Sequence, residues 1–107
     1  MSRQIKSDSE FQGLIKENSG VFVMVYASWC HFSQHFLPTF EHFAADKTKN
    51  CARVVVDDLP GVDDQYAVEV FPTVLFFKQG KLAKRLDGTA GIGLDEKKLK
   101  AFVSGCG

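Results

Sequence analysis

Val21-Phe22-Val23-Met24-Val25-Tyr26 is an unbroken apolar run with no polar residue alternating into it. Its length and its valine content suit a strand. A strand apolar on both faces must lie in the middle of a sheet with a covering layer on each side. This requirement excludes one-sided sheets and helical bundles and predicts a layered α/β arrangement with helices above and below.

The run is followed by Trp29-Cys30-His31-Phe32-Ser33 and then by a helical pattern predicted from Ser33 to Asp46. In that pattern Phe36, Phe40, Phe43 and Ala44 form one apolar stripe, while Gln34, Glu41 and His42 point elsewhere. A thiol is thereby placed where a strand hands over to a helix. The unpaired N–H groups and dipole of a helix start favour the thiolate, the nucleophilic form of cysteine. A free thiol titrates near ~8.5 and a helix-start cysteine near ~7 or below, so Cys30 is the candidate nucleophile. Pro38 lies within the helical pattern and predicts a bend three or four residues before it.

The remaining segments supply the layers. Arg3 to Lys6 suits an edge strand, and Ser7 with Glu10 reads as a capping box for a helix from Asp8 to Glu17. Ala52 to Asp57 is a second buried strand, Leu59-Pro60-Gly61 a turn, and Val62 to Tyr66 a short helix. Val74 to Phe77 and Lys81 to Asp87 form a hairpin around Gln79-Gly80, and Gly88, Gly91 and Gly93 make a flexible bend. Asp95 to Ser104 is the last helix, with Leu99, Phe102 and Val103 inward. This order predicts a mixed sheet, parallel in one half and closed by an antiparallel hairpin.

With 107 residues, 45% of them apolar, the chain is expected to form one domain spanning residues 1–107. Thirteen basic and thirteen acidic residues cancel, so no field favours nucleic acid or an anionic membrane as a partner. No export signal or membrane span is legible, which points to the cytoplasm; an oxidising secretory compartment is the alternative if a leader precedes Met1. Cys30, Cys51 and Cys106 are odd in number and widely spaced, unlike a disulfide framework or a zinc site. His31, His35 and His42 approach one helix face but lack a fourth ligand, and solvated histidines are expected there, with no metal and no cofactor. Cys51 and Cys106 are expected to be dispensable for chemistry.

The chain resembles the thioredoxin family over essentially its whole length. The resemblance is carried by Tyr26-Ala27-Ser28-Trp29-Cys30, Pro38, Val56-Asp57, Phe71-Pro72-Thr73, Lys78-Gln79-Gly80 and Gly88. It implies the thioredoxin fold, with a central mixed sheet and helices on both faces, and thiol–disulfide exchange on protein disulfide or thiol substrates, glutathione among the candidates. It further implies a monomer and a cis Pro72 beside Cys30, with the neighbouring backbone open to an extended substrate. Trp29, His31, Phe32, Phe71, Pro72 and Thr73 are the implied substrate-binding residues, with Trp29 and Phe71 as apolar walls.

Two residues depart from the family pattern. Ser33 stands where thioredoxins carry the resolving cysteine, and Met24 where they commonly bury an aspartate that serves that cysteine. A natural C-x-x-S site and an engineered replacement of the second cysteine both account for Ser33; Met24 favours the first. The expected activity is exchange by Cys30 alone, with Ser33 as a hydrogen-bonding neighbour, through mixed disulfides that an external thiol resolves. Trp29-Cys30-His31-Phe32-Ser33-Gln34 also resembles the site of the endoplasmic-reticulum chaperone that retains secretory proteins through mixed disulfides, although no retention signal ends the chain. A monothiol glutaredoxin is a further reading, opposed by Trp29, by His31 in place of a glycine and by the missing glutathione motif. A non-catalytic module that holds partners through Cys30 is the third.

Overall fold

The computed structural model describes residues 2–106. Its order is β1 (Arg3–Ile5), α1 (Asp8–Glu17), β2 (Gly20–Tyr26), α2 (His31–Ala44), β3 (Cys51–Val55), α3 (Val62–Gln65), β4 (Thr73–Lys78), β5 (Lys81–Leu86) and α4 (Glu96–Ser104). The five strands form one sheet in the order β1-β3-β2-β4-β5. β1 and β2 both run parallel to β3, whereas β4 is antiparallel to β2 and to β5.

The unalternating run is the middle strand, because its side chains feed two cores. Val21, Val23 and Val25 join Phe11 and Ile15 of α1 and Val62 of α3 on one face. Phe22, Met24 and Tyr26 join Phe36 and Phe40 of α2 and Leu99 of α4 on the other. Each β2 side chain in this run is at most 8% exposed, which explains why no polar residue interrupts it. Among the described residues no helix is long and apolar enough to cross a membrane.

Local signals set the helix starts. Ser7 Oγ accepts from the Glu10 N–H at 3.2 Å, while Glu10 reaches past the cap to accept from the Lys6 N–H at 2.9 Å. Asp95 is the N-cap of α4 and accepts from the Lys98 N–H at 2.8 Å. The β4–β5 turn places Gln79 at φ 56° and Gly80 at φ 79°, the paired left-handed conformation of a tight hairpin.

Three boundaries differ from the sequence expectation by two residues, and the others by one or none. α2 begins at His31, two residues before Ser33, because the Gln34 N–H already donates to the Cys30 carbonyl at 3.0 Å. It closes at Ala44, and it continues through Pro38, whose missing N–H costs one hydrogen bond without ending the helix. β3 ends at Val55 because Asp57 turns out of the sheet toward Ser28. The glycine bend from Gly88 to Gly93 is tied across by a bridge between Thr89 and Gly93.

Candidate active site around Cys30

β2 ends at Tyr26 and α2 starts at His31, so the linking turn lies at the C-terminal end of the central strand. Cys30 is the N-cap of α2, with extended backbone at φ −85°, ψ 121°, and its N–H donates to the Ala27 carbonyl at 3.2 Å. No acidic residue occupies the first turn of α2, so the partial positive charge of the helix start is not offset there. The thiol is partly buried and donates to the Phe71 carbonyl oxygen at 3.8 Å.

The Phe71–Pro72 peptide on the other side of the thiol is cis. Pro72 is buried at the entry to β4, and Gly88 closes behind it: a Cβ on Gly88 would stand 2.5 Å from the Pro72 carbonyl oxygen. Gly88→Ala is therefore expected to push on the Pro72 backbone and lower stability by about 1–3 kcal/mol, the usual cost of overpacking. Urea unfolding of the variant checks this, and an unshifted midpoint would mean that the loop moves aside freely.

The Trp29 ring is 70% exposed and meets Phe71 edge-on at 6.1 Å. Phe32 is partly buried against the bend, where a Cβ on Gly93 would come within 2.9 Å of the Phe32 Cβ. Ile92 beside it is 65% exposed, so Trp29 and Ile92 are two large apolar side chains left open to solvent. His31 is exposed with its ring 6.2 Å from Phe32.

Ser33 and Thr73 sit differently from the expectation. Ser33 is fully buried, and its hydroxyl oxygen accepts from the Ala27 N–H at 3.5 Å, so its hydrogen bond goes to the backbone below the thiol and not to Cys30. Thr73 is also fully buried and turns its hydroxyl back to donate to the Val70 carbonyl at 2.7 Å, which leaves only its backbone for a ligand. Met24 is fully buried in the core on the α2 side of the sheet.

Sequence reasoning missed the arrangement around Ser28. The Asp57 carboxylate accepts from the Ser28 N–H at 3.1 Å and from the Ser28 hydroxyl at 2.8 Å, and these two donors hold the Asp57 carboxyl below the usual carboxylate range. Gln34 Nε2 donates to the Ser28 carbonyl at 2.8 Å. Asp57 was visible as part of a family pattern, but nothing in a linear sequence links it to a serine that follows the neighbouring strand.

The other thiols lie elsewhere. Cys51 pairs across β3 with Phe22 near the start of β2, whereas Cys30 follows its end. Cys106 borders a cavity of about 340 Å³ together with Ser19, Gly20 and Phe22. Burial pushes the Cys51 thiol up to about 12, and burial likewise raises Cys106. Iodoacetamide at neutral pH is therefore expected to label Cys30 far faster than Cys51, as peptide mass mapping would show; preferential labelling of Cys51 would contradict the burial. The raised Cys51 value also has a stability consequence. A thiol whose folded-state value is raised favours the fold fully below its ordinary value, and that contribution is lost as pH rises from there toward about 12. Cys51→Ala should lose less stability than the parent over that window, read by urea unfolding at each pH.

Among the described residues no group of three or more His, Cys, Asp or Glu side chains is arranged to hold a metal ion. A mixed sheet that sets a helix-capping cysteine against a cis X-Pro peptide at the end of its central strand defines a class of α/β proteins built for thiol chemistry. The thioredoxin family profile matches residues 2–104, and the chain belongs to that family, whose members are thiol–disulfide oxidoreductases. It is 33% identical to thioredoxin of Mycoplasmoides gallisepticum over 87 residues, which are 80% of this chain and 87% of that protein. It is 30% identical over 96 residues to monothiol glutaredoxin-S17 of Arabidopsis thaliana, covering 89% of this chain and 20% of that protein. The X-ray structure of Fasciola hepatica thioredoxin superposes with a TM-score of 0.84 at 28% identity, covering 95% of this chain and 96% of that one.

Proposed function

We propose that this protein exchanges thiols and disulfides through Cys30 as its single nucleophile. The Cys30 thiolate attacks one sulfur of a protein disulfide, the new S–S bond joins Cys30 to substrate, and the other substrate sulfur leaves as a thiolate that takes up a proton. A second thiol from outside the chain then attacks the mixed disulfide and returns Cys30 to its reduced form. The observation that carries this reading is Ser33: a buried hydroxyl occupies the place one turn along α2 where a resolving sulfur would have to stand. A hydroxyl has neither the acidity nor the nucleophilicity for disulfide attack at neutral pH. Cys51 and Cys106 belong to the opposite end of β2 and are not positioned to substitute for it.

Trp29 and Phe71 form the apolar walls for substrate, with His31 and Phe32 at the margin. The backbone around Pro72 and Thr73 offers the edge along which an extended segment would lie. Glutathione is the natural candidate for the external thiol, which suits a reducing compartment such as the cytoplasm, and a monomer suffices for the mechanism. The likeness to a monothiol glutaredoxin extends over only a fifth of that protein, and His31 fills the place beside the thiol that a glycine would leave open. The decisive test compares variants. Cys30→Ala should form no mixed disulfide with a disulfide-bearing peptide, whereas Cys51→Ala with Cys106→Ala should form it at the parent rate. Retention of the adduct in Cys30→Ala would misplace the site.

A further inference from the structure

Ser28 lies in the turn between β2 and α2, outside any helix or strand, yet both of its peptide groups are tied down. Its N–H and hydroxyl both donate to Asp57, at 3.1 and 2.8 Å, and its carbonyl accepts from Gln34 Nε2 at 2.8 Å. A peptide group is planar, so fixing the N–H fixes the Ala27–Ser28 plane and fixing the carbonyl fixes the Ser28–Trp29 plane. Asp57 follows β3 and Gln34 belongs to α2, so the two ties come from different elements. Between them the next residues are Trp29, whose ring is 70% exposed, and Cys30. The Trp29 ring meets the Phe71 ring edge-on at 6.1 Å.

We propose that Asp57 and Gln34 are positioning residues for exchange at Cys30, clamping Ser28 so that the exposed Trp29 ring and the Cys30 thiol keep a fixed relation across the substrate groove. The proposal rests on Cys30 being the nucleophile. The clamp acts through Ser28, and neither residue touches the sulfur. Its effect falls on substrates that must lie against Trp29 and meet Cys30 at once, since misplacement of reacting groups by about 1 Å costs on the order of 10²-fold. A small reagent that needs only the sulfur is little affected. An asparagine at position 57 keeps an oxygen for the Ser28 N–H and offers an amide that donates to the Ser28 hydroxyl, so it preserves the clamp with the donor direction reversed.

The test uses the full chain with Asp57→Ala, Asp57→Asn, Gln34→Ala and Ser28→Ala. Four readouts are taken: exchange with a disulfide-bearing peptide, iodoacetamide alkylation of Cys30, urea unfolding, and the fluorescence of Trp29, the one tryptophan in the chain. The expected result is that Asp57→Ala and Gln34→Ala slow peptide exchange about tenfold while alkylation changes by no more than about twofold, and that Asp57→Asn restores exchange. Trp29 emission in the parent should change in acid, at a pH below the usual carboxylate range. That transition should be absent from Asp57→Ala and should move to higher pH in Ser28→Ala, which removes the hydroxyl donor. Parent-like exchange in folded alanine variants would overturn the proposal. So would a parallel fall of exchange, alkylation and urea midpoint, the mark of simple destabilisation. If the parent forms no adduct at Cys30 at all, the nucleophile reading fails, and the acid fluorescence transition still decides whether the clamp exists.

Discussion

Ser33→Cys is expected to turn a protein that accumulates mixed disulfides into one that turns over as a disulfide reductase when coupled to a thioredoxin-type reducing system. Position 33 lies in the first turn of α2 with its side chain fully buried, and Cys30 caps the same helix. The backbone already has the strand-to-helix bend on which a C-x-x-C disulfide can close. A sulfur there would resolve the mixed disulfide within the molecule, and well-oriented internal groups reach effective molarities of about 10⁵ M or more, far above any external thiol. The added volume is small, but Ser33 is packed without exposure and donates no space, so a modest loss of stability should accompany the gain. Met24, fully buried on β2, offers no proton acceptor for the new thiol, so turnover should stay below that of a relative with an acid there. Absence of an internal disulfide in the oxidised variant, judged by mass after alkylation, would mean that residue 33 cannot reach Cys30.

The second large effect is structural. Phe40→Ala should cost about 3–5 kcal/mol, as expected for truncation of a fully buried phenylalanine. Phe40 is 0% exposed on the inner stripe of α2, sits in the core with Phe22, Met24 and Phe36, and lies 6.1 Å from the Phe43 ring. Against a total stability on the order of 5–15 kcal/mol, this loss would remove a large share. It would also loosen the helix whose start carries Cys30. Urea unfolding should show the reduced midpoint, and a shift smaller than about 1 kcal/mol would mean that the core collapses around the gap.

Much of the fold was legible because β2 constrains it so tightly. A strand with Val21, Val23 and Val25 on one face and Phe22, Met24 and Tyr26 on the other has only one place in a sheet, and the helical stripes on either side of it in the sequence supply the two covering layers. The capping residues Ser7 and Asp95 announce their helices because each needs only a partner three residues away. Cys30 was legible for the same local reason. The start of α2 was read two residues late, although Phe32, four residues before Phe36, already extends the apolar stripe to that end. What remained hidden depends on contacts between distant segments. The Ser28–Asp57 pair, the close approach of Gly88 to Pro72 and the packing of Phe32 on Gly93 each join residues far apart in the chain. The inward turn of the Thr73 hydroxyl to Val70 likewise depends on how the loop before β4 folds back.

The most direct test of the single-thiol mechanism is to follow the mass of the reduced protein after it meets a peptide carrying one disulfide, first without and then with added glutathione. The single-thiol mechanism predicts one peptide adduct per chain, mapped to Cys30, which persists until glutathione releases it and restores the starting mass. Release of fully reduced peptide without glutathione, leaving an oxidised chain with an internal disulfide, would contradict it.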